Sequence, residues 1–357
     1  MIKKILAIAM SVMLIMPLAS CSKKGTDGVT GDPVEKQALK MDTVMTLRVY
    51  GPNANEAIDA AYKRIDEIEQ ISSADIETSD VSLINKASGK SYVKVHPEII
   101  KMLNTAIKYS KLSDGAFDIT VGPLIKLWNI GTSEERLPSD AEIKAKLPLI
   151  GYKNISINEK DSSVMLMKEG MAIDLGGIAK GFTADEVIKT FKSKGVKSAL
   201  INLGGSSIYT LGEKPDKSLW SVAIQHPRKE KNEGYLGIIK MPEQALSTSG
   251  DYERFFIQDG KRYHHILNPF TGYPADSGVM SDSIVINKDV PDCNMLADTL
   301  TKLTFVLGVE KGMKLIDSIE GVSCMAETTD FKVYTSKSWK SEVQNLSPEF
   351  TMVEKKY

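Results

Sequence analysis

Met171-Ala-Ile-Asp174-Leu-Gly176-Gly177-Ile-Ala-Lys180-Gly181-Phe-Thr-Ala-Asp185 reads as a strand, a glycine turn and the start of a helix. Paired glycines let the backbone approach a ligand closely. The free amides of the first helical turn, the helix dipole and the Lys180 ammonium would together attract a phosphate or pyrophosphate. Asp174, just before the turn, can accept a hydrogen bond from a ligand base or hydroxyl. The spacing matches neither the P-loop nor the dinucleotide fingerprint. Taken alone, the segment reads equally well as a tight turn with a solvent-exposed lysine.

Periodicity on either side sets the fold class. Met41 to Tyr50 alternates like a strand, and Asn53 to Ile71 places Ala57, Ala61, Ile65 and Ile68 on one helix face. Pro97 to Leu112 predicts a helix opened by proline, and Ile178 to Lys194 one that ends at Gly195. Short strands are expected near Ile155, Met165, Ile173, Leu200 and Ile208, and again at Ser221–Ile224, Leu236–Lys240, Phe255–Ile257 and Ser283–Ile286. A helix is expected from Asn294 to Val309, another over 311–319, and strands near Val322 and Val333. Runs of strands broken by long helices predict an α+β fold, mixed sheets layered with helices in one domain, rather than a doubly wound sheet.

The N terminus concerns location. Lys3 and Lys4 precede an apolar run from Ile5 to Ala19, the pattern of a secretory signal. The run is too short for a spanning helix and stops at Leu18-Ala-Ser-Cys21, which resembles the lipobox of bacterial lipoproteins. That resemblance implies a signal over 1–20, lipidation at Cys21 and a flexible tether over 21–40. The main domain is then expected over 41–345 and a C-terminal tail over 346–357. With 45 basic and 46 acidic side chains in 357 residues, nothing points to nucleic acid. Cys293 and Cys324 could pair in an oxidising compartment, although cysteines this far apart in sequence are more often simply buried, and they lack the clustering of a zinc site.

Three further clusters carry polar chemistry. Ser113-Asp-Gly-Ala116-Phe117-Asp118 to Leu124, with Trp128, is a loop able to wall a planar ring, although Phe117 in the core is the commoner outcome. Ser249-Gly-Asp-Tyr252 precedes His264-His265-Ile-Leu267, which closes at Gly272. Neighbours on a strand point to opposite faces, so at most one of these histidines faces a site; that leaves one proton-transfer candidate and no two-histidine metal site. Ala297-Asp298-Thr-Leu-Thr301-Lys302 is expected to open a helix, with Asp298 either capping it or holding magnesium beside a phosphate.

Taken in order, Met41-Asp-Thr43, Gly115 to Leu124 with Trp128, Asp174 to Gly181, Ser249 to Tyr252, His265 to Gly272 and Ala297-Asp298 resemble the ApbE family of FAD:protein FMN transferases from about Met41 to Gly308. The resemblance implies a T-fold-like domain that binds FAD with Mg2+, or Mn2+ in its place. It passes FMN to a threonine or serine hydroxyl of an acceptor protein and releases AMP. It places Met41, Ala116, Phe117, Asp118, Asp174, Lys180 and Leu267 at nucleotide contacts. A main-chain oxygen of Gly177 and the side chains of Asp298 and Thr301 are assigned to the metal, and His265 to the acceptor hydroxyl. The implied acceptor is a membrane-bound redox subunit, with the enzyme anchored by lipid on the outer face of the bacterial inner membrane.

Two positions depart from the family pattern. Lys302 stands where a metal-binding threonine is usual, and an ammonium has only donors; either Thr301 is shifted into place, or the metal keeps an extra water, or Lys302 itself replaces some of the metal's charge. Ser72-Ser-Ala-Asp75 stands where an aromatic commonly covers the cofactor. Competing readings are an FAD hydrolase yielding FMN and AMP, and a flavin-binding lipoprotein without turnover.

Overall fold

The computed structural model describes residues 31–230 and 233–354; the signal peptide and Cys21 lie outside them. Along the described chain run β1 (Val34–Lys40), β2 (Thr43–Tyr50), α1 (Ala54–Ser72), α2 (Asp80–Lys86), β3 (Val93–Lys94), α3 (Pro97–Leu112), α4 (Gly122–Trp128) and α5 (Asp140–Lys146). Then follow β4 (Ile155–Asn158), β5 (Ser163–Leu166), α6 (Ala179–Ser193), β6 (Ser198–Leu203), β7 (Ser207–Leu211), β8 (Trp220–Gln225), β9 (Tyr235–Met241) and β10 (Gln244–Gly250). The rest comprises β11 (Phe255–Gln258), β12 (Lys261–His264), β13 (Val279–Asn287), α7 (Cys293–Leu300), α8 (Leu303–Asp317), β14 (Val322–Thr328), β15 (Lys332–Thr335), β16 (Val343–Gln344) and β17 (Thr351–Met352).

A nine-stranded sheet in the order β1-β2-β6-β7-β10-β13-β14-β15-β17 forms the frame. Its pairings are antiparallel except β15 with β17. Side chains alternate across it. Ala245, Ile284, Ile286, Cys324 and Ala326 join the larger core, which includes the inner faces of α1, α6, α7 and α8. Leu246, Val285 and Met325 point the other way, into a second core with Trp220, Val222 and Ile239 of the β8–β9 ribbon. Burial on both faces explains why β13 is enclosed over all but its last residue. A third cluster of Leu124, Trp128, Ile143 and Leu267 joins α4 and α5 to the β11–β12 hairpin.

Several sequence expectations need correction. The tether does not extend to residue 40, because Val34–Lys40 pairs along its whole length with β2. Its alternating half-buried and exposed residues are those of an edge strand, which polar composition disguises. Met41 and Asp42 are not strand residues; both have positive φ (46° and 58°) in a two-residue turn, the backbone of a type I′ hairpin. The tail over 346–357 also belongs in part to the fold, since Phe350 is buried in the second core and Thr351–Met352 joins the main sheet. Ile173 lies in an extended segment whose one bridge is Ala172 to Val121. The helix expected from Asn294 to Val309 is two helices parted at Thr301 and Lys302, with a further kink at Gly308 (φ 76°). Cys293 and Cys324 are buried free thiols.

Candidate active site

The turn before α6 is fastened to the Gly115–Leu124 segment by backbone alone. The Asp174 amide donates to the Ile119 carbonyl at 2.8 Å, and Val121 bridges Ala172. A Cβ at Gly122 would lie 2.8 Å from the Ala172 carbonyl oxygen, so only glycine permits this approach. Trp128 then donates its indole N–H to the Gly272 carbonyl at 2.8 Å, tying the same segment to the loop after His265. Three clusters far apart in sequence thereby share one neighbourhood.

The helix α6 begins without a side-chain cap at Ile178. One of its early amides, that of Gly181, donates to Asp298 Oδ2 at 3.0 Å. Asp298 sits in the last turn of α7, not the first, and is 3% exposed. The capping role considered for it belongs to Asp185 of α6. Asp185 accepts from the Asn294 amide at 3.2 Å, the Asn294 side chain at 2.9 Å and the Met295 amide at 2.9 Å.

Beyond Asp298 the chain turns so that Lys302 Nζ reaches back. It donates to the Asp298 carbonyl at 2.7 Å, to Asp298 Oδ1 at 2.8 Å and to Thr301 Oγ1 at 3.0 Å. Thr301 Oγ1 itself donates to the Asp298 carbonyl and accepts from Ser249 Oγ, both at 2.8 Å. The stem of Lys302 passes Gly177, where a Cβ would stand 3.4 Å from Cε and 3.3 Å from the Phe117 ring. Gly177, Asp298 and Thr301, the residues assigned to a metal, are therefore together, but the Lys302 ammonium fills the point between them. A divalent ion would need oxygen ligands at about 2.0–2.1 Å for magnesium. Both Asp298 oxygens are already engaged and the nearest neighbour is a cation, so this donor set does not fit one.

The electrostatics reflect crowding of positive charge. Burial opposes ionisation of Asp298, but Lys302, Lys180 and the Gly181 amide outweigh it and hold its carboxyl below the usual range. Burial pushes the Lys180 ammonium down; Lys302 and Arg254 add repulsion while Asp298 opposes them. Burial pushes Asp174 up against the pull of the Gly176 amide, Arg254 and Lys180. Lys180, Asp174 and His265 all remain partly accessible.

His265 is held well below the ordinary 6.5, by burial first and then by Arg254, His264 and Lys180. Its Nδ1 lies 3.3 Å from the Arg254 carbonyl. A carbonyl can only accept, so the proton sits on Nδ1 and Nε2 carries the free lone pair. His264 is buried and used internally, with Nε2 on the Ala275 carbonyl at 2.9 Å and Nδ1 accepting from Ile266.

The remaining predicted contacts are spread around this centre. Met41 approaches α6 through Thr183, whose hydroxyl donates to its sulfur at 3.5 Å, and its amide donates to Glu69. Ala116 and Phe117 are core residues, Phe117 with its ring beside Gly177. Leu267 is buried against Trp128 in the third cluster. Asp118 is turned inward: it accepts from the Thr120 amide and hydroxyl and from the Tyr152 amide, so its carboxylate braces the loop and is not offered to a ligand. Arg254 and Asp185 went unrecognised in the sequence. Arg254 had one signal, its position just after Ser249-Gly-Asp-Tyr252.

The sequence pattern of the ApbE family matches residues 41–326. A curated relative from Klebsiella pneumoniae, an FAD:protein FMN transferase, is 34% identical over 89% of this chain and 96% of its own length. Another of that name from Treponema pallidum is 31% identical over 88% of this chain and 90% of its own. Among solved structures, the ApbE protein of Thermotoga maritima superposes with a TM-score of 0.75 at 31% identity, covering 88% of this chain and 97% of that one. The flavin transferase ApbE of Vibrio cholerae gives 0.73 at 25% identity, with 88% and 97% coverage.

Proposed function

The chain belongs to the ApbE family and transfers FMN from FAD to a protein, and from that premise we propose how its residues carry the step. The pyrophosphate of FAD lies against the start of α6, with Lys180, Arg254 and Lys302 around it. An acceptor threonine or serine hydroxyl attacks the flavin-side phosphorus. The bond from that phosphorus to the bridging oxygen breaks, AMP departs with that oxygen, and the flavin phosphate becomes an ester of the acceptor. His265 Nε2 takes the hydroxyl proton.

The observation that carries this reading is the meeting of Asp298, Gly181, Lys180 and Lys302 at the junction of α6 and α7. Phosphoryl transfer needs little beyond in-line positioning and neutralisation of developing charge, and fixed cations with a helix N terminus supply the latter. Magnesium, or manganese in its place, is the family expectation; because the donors around Asp298 do not fit it, no step here passes through a metal.

The acceptor is a membrane-bound redox subunit, and the enzyme is held near it by lipid on Cys21 at the outer face of the inner membrane. The lipobox order Leu18-Ala-Ser-Cys21 supports this. The test incubates the full chain with FAD and a candidate acceptor, then weighs the acceptor intact. An FMN-sized covalent gain is expected, with AMP released in equal amount. Free FMN without acceptor modification would instead assign hydrolysis. Membrane fractionation of Cys21→Ala cells, expected to move the protein to the soluble fraction, checks the anchor.

A further inference from the structure

We propose that the Lys302 ammonium replaces the divalent cation in this chain, so that FMN transfer proceeds without a metal. The inference rests on the transfer reaction above and concerns only what neutralises the pyrophosphate.

Lys302 Nζ is fixed at one point by three oxygens, the Asp298 carbonyl (2.7 Å), Asp298 Oδ1 (2.8 Å) and Thr301 Oγ1 (3.0 Å). These are hydrogen-bond lengths for an ammonium and well beyond magnesium–oxygen bonds of about 2.1 Å. The long side chain is not free to swing away. It is paired to Asp298 one helical turn earlier and its stem lies along Gly177, where the missing side chain makes room for it. A cation entering beside Asp298 would have to expel this charge first.

An ammonium has three protons, and all three are bonded in this arrangement. The bond to Thr301 is the longest, and its acceptor oxygen also receives the Ser249 hydroxyl. This bond is the one to be exchanged for a phosphate oxygen when FAD binds, while both bonds to Asp298 keep the lysine in place. Lysine brings less charge than a divalent ion; Lys180, whose charge acts on Asp298, and Arg254, whose charge acts on Lys180, make up the difference.

The experiment strips the full chain of metal with EDTA and measures FMN transfer to acceptor protein with and without added Mg2+. Binding of Mn2+ is followed in parallel by electron paramagnetic resonance. Wild type is expected to transfer equally in both conditions and to bind no Mn2+. Lys302→Thr is expected to be inactive in EDTA and to gain both Mg2+-dependent transfer and Mn2+ binding, whereas Lys302→Met loses about 10²-fold in rate and is not rescued. Wild-type transfer that disappears in EDTA and returns with Mg2+, or wild type that binds Mn2+ at the stoichiometry of the threonine variant, overturns the proposal and leaves the transfer reaction standing. An inactive wild type beside an active Lys302→Thr also overturns the proposal. Failure of both proteins to modify any acceptor or release AMP under every condition removes the transfer reading, and this inference with it.

Discussion

Gly181 and Asp298 join the first turn of α6 to the last turn of α7 through a single amide-to-carboxylate bond of 3.0 Å. The contact is possible because position 181 has no side chain. A Cβ there would fall 2.2 Å from the Asn294 carbonyl oxygen and 2.7 Å from Asp298 Cβ. Backbone cannot rotate away as a side-chain tip can, so Gly181→Ala must push the two helices apart. Overpacking of this kind costs about 1–3 kcal/mol, and it moves Asp298 and Lys302 away from Lys180. A lower Tm in thermal unfolding is expected together with weaker FAD binding in a flavin fluorescence titration. An unchanged Tm would show that the helices do not depend on this close approach.

The neutral state of His265 gives a pH prediction. A base works above its pKa, and burial with the Arg254 charge sets that of His265 well below 6.5. The transfer rate should therefore stay level as pH falls from neutral through 6.5, and drop only when the depressed value is reached. His265→Ala is expected to lower the rate by about 10²-fold, the usual worth of a positioned base, with little change in FAD affinity. A wild-type rate that halves near pH 6.5 would contradict this assignment of the proton.

What could be read in advance depended on whether a signal was local. The helix Pro97–Leu112 has the predicted ends because proline opens it and the apolar face stops at Leu112. The turn from Asp174 to Lys180 was legible because glycines, lysine and helix start are contiguous. The break between α7 and α8 was hidden, since apolar residues continue through it and only tertiary packing parts them at Thr301 and Lys302. Strand β1 was missed because an edge strand needs few apolar residues. Arg254 and Asp185 act on residues remote in sequence, and no spacing rule reports such a meeting.

Asp185 offers a direct check on how α7 is started. Its carboxylate receives the Asn294 and Met295 amides, the donors an N-cap side chain would ordinarily satisfy. Asp185→Ala leaves these buried donors without partners, and loss of a cap costs about 1–2 kcal/mol. Because α7 carries Asp298, reduced transfer should accompany the fall in Tm. Asp185→Asn retains one acceptor oxygen and is expected to lose less than the alanine variant by urea unfolding. Equal stability of the two variants would count against the capping role.

Two enclosed carboxyls beneath the site, Asp282 and Glu327, are 0% exposed. Burial raises both well above the ordinary range, and the neighbouring Asp282 carboxylate pushes Glu327 up further. Asp282 keeps a hydrogen bond from the Thr304 hydroxyl. Ser281 lies near Glu327, but no well-aligned hydrogen bond reaches either Glu327 oxygen. The folded chain thus retains protons that the unfolded chain releases near pH 4. Their stabilising share is complete below that pH and is lost as pH rises toward the raised folded values. Glu327→Gln has no proton to lose, so its stability relative to wild type should improve steadily between pH 5 and pH 8, by about 1 kcal/mol or more at the upper end. Urea unfolding of both proteins at several pH values measures the difference directly. A constant difference across that range would mean that Glu327 ionises normally in the folded protein.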